Sequence, residues 1–131
     1  MSERNVEVVG QLIAALNARD VDQYLALCTP DVEYVSPAAP MEGVARGEEG
    51  VRAFFSVLAE ATTSFRVTVE QLRALRGDRV LALTRLTGVS QGGFPVDQPS
   101  ASLYDFAGPK VRRIEIFLDR AKAQEAAGLS A

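Results

Sequence analysis

The architecture of this chain is set by residues 65–118, FRVTVEQLRALRGDRVLALTRLTGVSQGGFPVDQPSASLYDFAGPKVRRIEIFL. Apolar side chains recur at every second position over much of this stretch, which is the period of a half-buried strand. Three breaks consist of turn-forming residues: Arg76-Gly77-Asp78, Gln91-Gly92-Gly93 and Ala107-Gly108-Pro109. Such short links favour antiparallel neighbours, so the pattern predicts a four-stranded meander. The predicted strands are Phe65–Leu75, Arg79–Ser90, Val96–Phe106 and Lys110–Leu118.

The residues before this meander have a mostly helical pattern. Asp31–Ser36 alternates and predicts one short strand, whereas Pro37–Gly47 is rich in proline, glycine and alanine and predicts an irregular loop. Helices that precede a meander indicate an α+β fold. We expect three N-terminal helices packed on a strongly curved, mixed, mostly antiparallel sheet, forming a cone around a pocket. The predicted helices are Val6–Ala18, Val21–Leu27, Glu48–Ala61 and a final one over Asp119–Ala127.

Length and composition predict one domain over residues 1–131. The chain is 47% hydrophobic and 24% charged, which is ordinary for a globular protein. Its net charge is −3 and its basic residues are scattered, so we expect no nucleic-acid partner. No segment approaches the ~20 apolar residues of a membrane span, and the first residues lack a signal-peptide pattern. A cytoplasmic location is therefore expected, with the single cysteine, Cys28, packed in the core.

The absence of histidine from the sequence narrows the chemistry. Histidine is the commonest general base and the commonest metal ligand near neutral pH. A zinc site, a Ser-His triad and a Cys-His pair are therefore excluded, and we expect neither a metal nor a cofactor. Any acid–base chemistry must come from Asp, Glu, Tyr, Lys or water.

Four stretches along nearly the whole chain resemble one known superfamily. They are Ala14–Asp20 (AALNARD), Pro30–Tyr34 (PDVEY), Arg46–Phe55 (RGEEGVRAFF) and Val111–Arg120 (VRRIEIFLDR). In this order they resemble the nuclear transport factor 2-like superfamily, in particular SnoaL-like domain proteins. The superfamily includes polyketide cyclases, ketosteroid isomerases and limonene-epoxide hydrolases. Because this fold hosts unrelated activities, function must be argued from the site.

Comparison with the ketosteroid isomerases implies that this chain is not one of them. Those enzymes use a first-helix tyrosine, a first-strand aspartate and a later aspartic acid. The resemblance places these groups at Leu12, at Ser36 and near Ala101. All three required groups are missing.

The limonene-epoxide hydrolases match better and suggest catalytic candidates. They use an Arg-x-Asp on the third strand, an aspartate on the last strand, and a Tyr and an Asn on the first. By resemblance these positions are Arg85, Glu115 and Tyr34, whereas Thr87 replaces the aspartate and Ser36 the asparagine. The resemblance thus implies Glu115 as acid or base, Arg85 as its partner and Tyr34 as a hydrogen-bond donor. A water held between a base and an acid needs two carboxylates, so the loss at Thr87 counts against epoxide hydrolysis.

Strand parity also places Arg85 and Glu115 in one cavity. Arg85 shares a face with Leu83 and Thr87, and Glu115 with Arg113 and Phe117. Apolar neighbours suggest partly buried charges that act in catalysis; the alternatives are a structural ion pair or two charges on a solvated sheet face. Tyr104 and Asp105 are expected to face solvent or a subunit. The expected pocket residues are Leu12, Leu16, Ser36, Phe54, Leu58, Leu83, Thr87, Ala101, Arg113 and Phe117.

The sequence leaves three functions open. The first is binding of a small apolar molecule in the pocket, with cofactor-free acid–base catalysis of the cyclase, isomerase or hydrolase type. The second is a non-catalytic ligand-binding module, and the third is a dimerising scaffold with a vestigial pocket. The resemblance implies a homodimer, because members of the superfamily commonly pair through the outer face of the sheet. The strand residues Val80, Ala82, Thr84 and Leu86 are predicted to form an outward apolar set that needs such cover.

Overall fold

The computed structural model of the protein describes residues 2–36 and 44–129, except for the side chains of Ser2 and Val44. The α+β prediction is confirmed. The elements are α1 (Ser2–Ala18), α2 (Val21–Ala26), β1 (Cys28–Val35), β2 (Val44–Arg46), α3 (Gly47–Ala61), β3 (Thr62–Leu75), β4 (Arg79–Ser90), β5 (Pro95–Ala107), β6 (Lys110–Phe117) and α4 (Arg120–Ala126).

Six described strands form one mixed sheet in the order β2-β1-β6-β5-β4-β3. The β1–β6 pair is parallel, and the four other neighbouring pairs are antiparallel. The meander β3–β6 has the tight connections that its turn residues predict. Of the three helices expected at the N-terminus, only α1 and α2 precede the sheet, because α3 follows β1 and β2.

The stretch expected to be an irregular loop contains a strand. Val44–Arg46 forms β2 and pairs with the end of β1, where Glu33 lies opposite Arg46. The loop prediction is therefore wrong for these three residues; the remainder of it, residues 37–43, lies outside the described part of the chain. β1 also begins at Cys28, three positions earlier than predicted, because Val111 of β6 donates to the carbonyl of Leu27 at 3.0 Å and draws the chain alongside.

Two hydrophobic clusters occupy opposite faces of the sheet. The larger one packs α1 residues such as Val9 and Leu12 against Val80, Ala82 and Ile114 of the sheet. The smaller one packs the alternate positions of β4 and β5 against α4. Its buried members are Leu81, Ala101, Leu103, Ala123 and Ala127. The central strands are thus apolar on both faces, and the sheet is the middle of three layers.

This layering corrects the expected orientation of β4. Val80 and Ala82 are fully buried in the larger cluster under the helices, and do not form an outward face. Thr84 and Leu86 point the same way, because residues two apart on a strand share a face. The predicted outward apolar set is therefore wrong, and it gives no support to a homodimer.

Gly88 allows β3 and β4 to come unusually close together. It has a φ of 152°, and a Cβ added there would lie 2.2 Å from the carbonyl oxygen of Ser64. The β3–β4 register shifts between Thr62 and Ser64, beside this glycine. A register shift of this kind bends a strand and increases its twist. Gly88 therefore stands where the edge of the sheet bends beside the end of α3.

Replacement of Gly88 by alanine should destabilise the protein by at least about 1–3 kcal/mol, because the methyl group meets backbone atoms of β3. Gly10→Ala is the matched control: its added Cβ meets nothing within 4 Å, and alanine favours the α1 helix by about 0.5–1 kcal/mol. Urea unfolding of both variants measures the two effects. Equal stability of the two variants would contradict the close approach at Gly88.

Candidate functional site

A cavity of about 170 Å³ lies between the helices and the sheet, on the face that carries the larger cluster. Helices α1 and α3 supply apolar side chains on one side, and strands β3–β6 supply the other. The lining residues are Leu12, Ile13, Leu16, Tyr24, Tyr34, Ser36, Phe54, Leu58, Phe65, Val67, Thr84, Leu86, Ser100, Ser102, Tyr104, Ile114, Ile116 and Leu118. Leu118 is 49% exposed, which places it where the cavity meets the surface.

The polar side-chain groups of this lining are all hydroxyls. They belong to three tyrosines, three serines and one threonine, and none of the described lining residues carries a charged side chain. Buried charges are costly unless they are paired, whereas hydroxyls can be buried at small cost once they are hydrogen-bonded. The described part of the cavity wall therefore carries no charged side chain, and its polar groups can form only neutral hydrogen bonds.

Strands β4 and β5 place several of these hydroxyls side by side. Thr84 and Ser100 are opposite each other in the β4–β5 register, and their side-chain oxygens lie 2.7 Å apart. Ser102 and Tyr104 follow Ser100 at intervals of two, so they share its face of β5. The Ser102 side chain counteracts part of the rise that burial produces in the pKa of Tyr104. We call these four side chains the hydroxyl wall.

The three tyrosines remain protonated over the whole neutral range. Burial raises the pKa of Tyr34 and of Tyr24 well above the usual value of 10.0, and raises the pKa of Tyr104 to about 12. Tyr34 packs its ring against that of Phe54 with 4.2 Å between centroids. A neutral phenol donates a hydrogen bond but does not accept a proton. These residues can therefore orient a ligand oxygen and cannot act as general bases near neutral pH.

Cys28 is an internal packing residue. Burial raises the pKa of its thiol to about 12, and Sγ donates to the carbonyl of Tyr24 at 3.3 Å. A protonated thiol is a poor nucleophile.

Six of the residues named from sequence line the cavity. They come from α1, β1, its C-terminal end and α3. These residues are Leu12, Leu16, Tyr34, Ser36, Phe54 and Leu58. The helical period places the two leucines on one face of α1, and the phenylalanine and Leu58 on one face of α3.

The other seven residues named from sequence need correction, because they lie on the opposite face of the sheet. Their neighbours in the chain point into the cavity, and a strand sends adjacent side chains to opposite faces. Leu83, Ala101 and Phe117 instead pack with the smaller cluster around α4. The corrected residues are Leu83, Arg85, Thr87, Ala101, Arg113, Glu115 and Phe117.

Arg85 and Glu115 do not meet. Arg85 forms ion pairs with Glu70 at 3.2 Å and with Asp97 at 2.7 Å, and its side chain is 39% exposed. Glu115 lies 3.5 Å from Arg113, beside it on the outer face. The alternative of charges on a solvated sheet face accounts for both residues. The acid–base pair expected from them is therefore not assembled.

Sequence reasoning missed all four residues of the hydroxyl wall. The sequence predicts an outward Thr84 and a Tyr104 that faces solvent or a subunit, but both side chains are buried and line the cavity. A signal was present in residues 100–104, SASLY, where a hydroxyl occurs at every second position. Alternation alone predicts a half-buried strand with these hydroxyls toward solvent, and only the lack of charge at the three positions agrees with their burial.

Comparison with known families identifies the chain at the level of its fold. The model of the SnoaL-like domain matches residues 9–114. The chain belongs to the SnoaL-like domain family. No curated protein matches it.

Solved structures share the fold of this SnoaL-like domain over nearly its whole length. A protein described as a SnoaL-like polyketide cyclase from Jannaschia sp. CCS1 is 27% identical, with a TM-score of 0.78; 99% of this chain and 95% of that one are covered. An NTF2-like protein of unknown function from Burkholderia pseudomallei is 20% identical, with a TM-score of 0.81 and coverages of 95% and 97%. A protein of ketosteroid isomerase-like fold from Catenulispora acidiphila, in complex with trimethylamine, is 20% identical, with a TM-score of 0.76 and coverages of 94% and 93%.

The helices of this SnoaL-like domain also bear on membrane insertion. Within residues 2–36 and 44–129, no helix combines the length and apolar character that a bilayer crossing requires.

The buried tyrosines predict a loss of stability at high pH. Burial holds the pKa of Tyr104 at about 12 in the folded protein, against 10.0 for an exposed tyrosine. Below pH 10 both states keep the proton, so stability is unaffected. Between pH 10 and 12 only the unfolded state loses it, and the free energy of unfolding falls by about 1.4 kcal/mol per pH unit for this residue. Tyr24 and Tyr34 add to this slope of the free energy of unfolding against pH.

Urea unfolding between pH 10 and 12 measures the slope, and Tyr104→Phe should reduce it. An unchanged slope in this variant would contradict the burial of the phenol.

Proposed function

We propose that this SnoaL-like domain binds one small, uncharged, largely apolar molecule in the cavity. The observation that carries the proposal is the neutral lining: apolar side chains together with hydroxyls, and no charged side chain among the described lining residues. A charged ligand would lose its hydration there without gaining a counter-charge, which is costly. An apolar ligand would lose only unfavourable contact with water.

The volume of the cavity limits the size of the ligand. An apolar cavity of about 150 Å³ is enough to bind benzene. At about 170 Å³ this cavity is of similar size, and it suits a molecule built on a single substituted ring. The tilted Tyr34–Phe54 ring pair offers an aromatic surface for such a ring.

The arrangement favours binding over acid–base catalysis. Proton abstraction near neutral pH needs a group that is unprotonated there and within reach of the ligand. Among the described residues, the lining offers only phenols and aliphatic hydroxyls, and burial raises the pKa of the phenols further. Arg85 and Glu115 are occupied in ion pairs on the other face. The similar structure described as a SnoaL-like polyketide cyclase supports a role with a small molecule for this domain.

Binding of ethylbenzene, compared with its charged analogues 4-ethylbenzoate and 4-ethylbenzylammonium, tests this proposal. Ethylbenzene should shift NMR resonances of cavity residues in a saturable manner, whereas both ions should bind at least about tenfold more weakly because their charges stay unpaired. Saturable binding of an ion as tightly as ethylbenzene, or no binding of ethylbenzene, would contradict the proposal.

A matched pair of variants locates the binding. Leu86→Trp fills the cavity from β4, whereas Leu83→Trp places the same bulk on the opposite face of the same strand. Only the first should weaken ethylbenzene binding, by tenfold or more. Equal effects of the two substitutions would place the ligand elsewhere.

We also propose that the domain forms a homodimer through the outer face of the sheet. The support is the superfamily resemblance, together with Leu83 and Phe117, which remain only partly buried beside α4. Burying this apolar surface would stabilise a two-fold pair. Sedimentation equilibrium at micromolar concentration should return twice the 14.1 kDa chain mass. A monomer at that concentration, or a dimer that survives Phe117→Glu unchanged, would contradict this interface.

A further inference from the structure

The hydroxyl wall has hydrogen-bonding capacity that its own members do not use. Two hydroxyl groups carry two hydrogens and four lone pairs between them. The contact between Thr84 and Ser100 uses one hydrogen and one lone pair. One donor and several acceptor positions remain, on side chains that are each only 1% exposed.

Apolar side chains near the Thr84–Ser100 pair cannot use its remaining donor and acceptor positions. Thr84 and Ser100 line the cavity among apolar neighbours such as Leu86 and Ile116. A buried hydroxyl hydrogen without an acceptor lowers stability, so the pair gains by donating its remaining hydrogen to a polar atom of whatever occupies the cavity. Ser102 and Tyr104 continue the same wall along β5.

The wall is held in position from behind by Arg120 of α4. Its Nε donates to the carbonyl of Ser100 at 3.1 Å, and its Nη2 donates to the carbonyl of Thr84. The same nitrogen pairs with Glu70 at 2.6 Å, and Glu70 also pairs with Arg85. One guanidinium thus fixes the backbone of both hydroxyl-bearing residues, and its charge is balanced outside the cavity. A site whose groups are fixed in advance loses less entropy on binding.

We infer that the Thr84–Ser100 pair is a recognition subsite for a hydroxyl group of an uncharged ligand. The pair can both donate and accept, and a ligand hydroxyl is the group that satisfies both functions at once. The ligand's apolar part then packs against Leu12, Leu16 and Phe54 of the helices. This inference rests on the proposed function, because it requires that the cavity holds a ligand. It adds the chemical class: a small hydroxylated molecule such as a phenol.

The test compares 4-ethylphenol with ethylbenzene, which differ by one hydroxyl. The measured quantity is the ratio of the two dissociation constants, by calorimetry or NMR titration. The double variant Thr84→Val/Ser100→Ala removes both hydroxyls with little change of volume. It should lower the preference for 4-ethylphenol about tenfold while leaving ethylbenzene affinity within about twofold, as expected for one lost buried hydrogen bond.

Thr87→Val is the control. It makes the same substitution on the same strand, but Thr87 lies on the opposite face, so the preference should stay at the wild-type value. Ser100→Ala alone provides a second variant in case the double variant unfolds, and it should also reduce the preference.

The outcomes separate the two proposals. If ethylbenzene binds and the double variant keeps the wild-type preference for 4-ethylphenol, the subsite proposal is wrong, while the proposal that the cavity binds a ligand stands. If Thr87→Val lowers the preference as much as the double variant, the subsite is also wrong. If neither compound binds to the wild-type protein, the cavity proposal itself fails and the subsite fails with it.

Discussion

Strands β4 and β5 bury apolar side chains on both of their faces, and the rest of the molecule is organised around this requirement. One face needs α1 and α3 as its cover, and the other needs α4. Because adjacent residues on a strand point in opposite directions, each position belongs to one layer or the other. The same rule that buries Val80 and Ala82 under the helices also turns Thr84 toward the cavity and Arg85 away from it.

The sequence predicts the helices and strands of this fold better than it predicts which way their side chains face. Strands β3–β6 could be predicted from alternation and turn residues, and all four described helices from their sequence patterns; the side chains of Asp20 and Asp119 cap α2 and α4. The facing of β4 could not be predicted, because both Val80 with Ala82 and Leu81 with Leu83 form apolar sets of the same period. Only the position of α4 distinguishes them, and packing of a short helix is a tertiary property. β2 was missed because three residues are too few for a period to show.

The division of polar groups between the two faces follows from the cost of burial. Outside, arginines such as Arg85 and Arg113 pair with carboxylates where water still reaches them, so each pair contributes little and costs little. Inside, hydroxyls replace charges. Charged candidates such as Glu115 therefore lie on the surface of this domain. The described polar residues that face its cavity are serines, tyrosines and a threonine, whose residue type alone does not single them out as functional.

The parallel pairing of β1 with β6 has a consequence for how the chain reaches its native state. Glu33 and Arg113, which pair across these strands at 2.7 Å, are 80 residues apart in sequence. During synthesis β1 and the helices beside it emerge long before the strand that completes their side of the sheet. The meander β3–β6 has mostly local contacts, whereas pairing of β1 with β6 must close a long loop, which is entropically expensive and slow. The topology thus delays one pairing in particular: β1 can pair with β2 soon after both are made, but its pairing with β6 must wait for the last strand of the sheet.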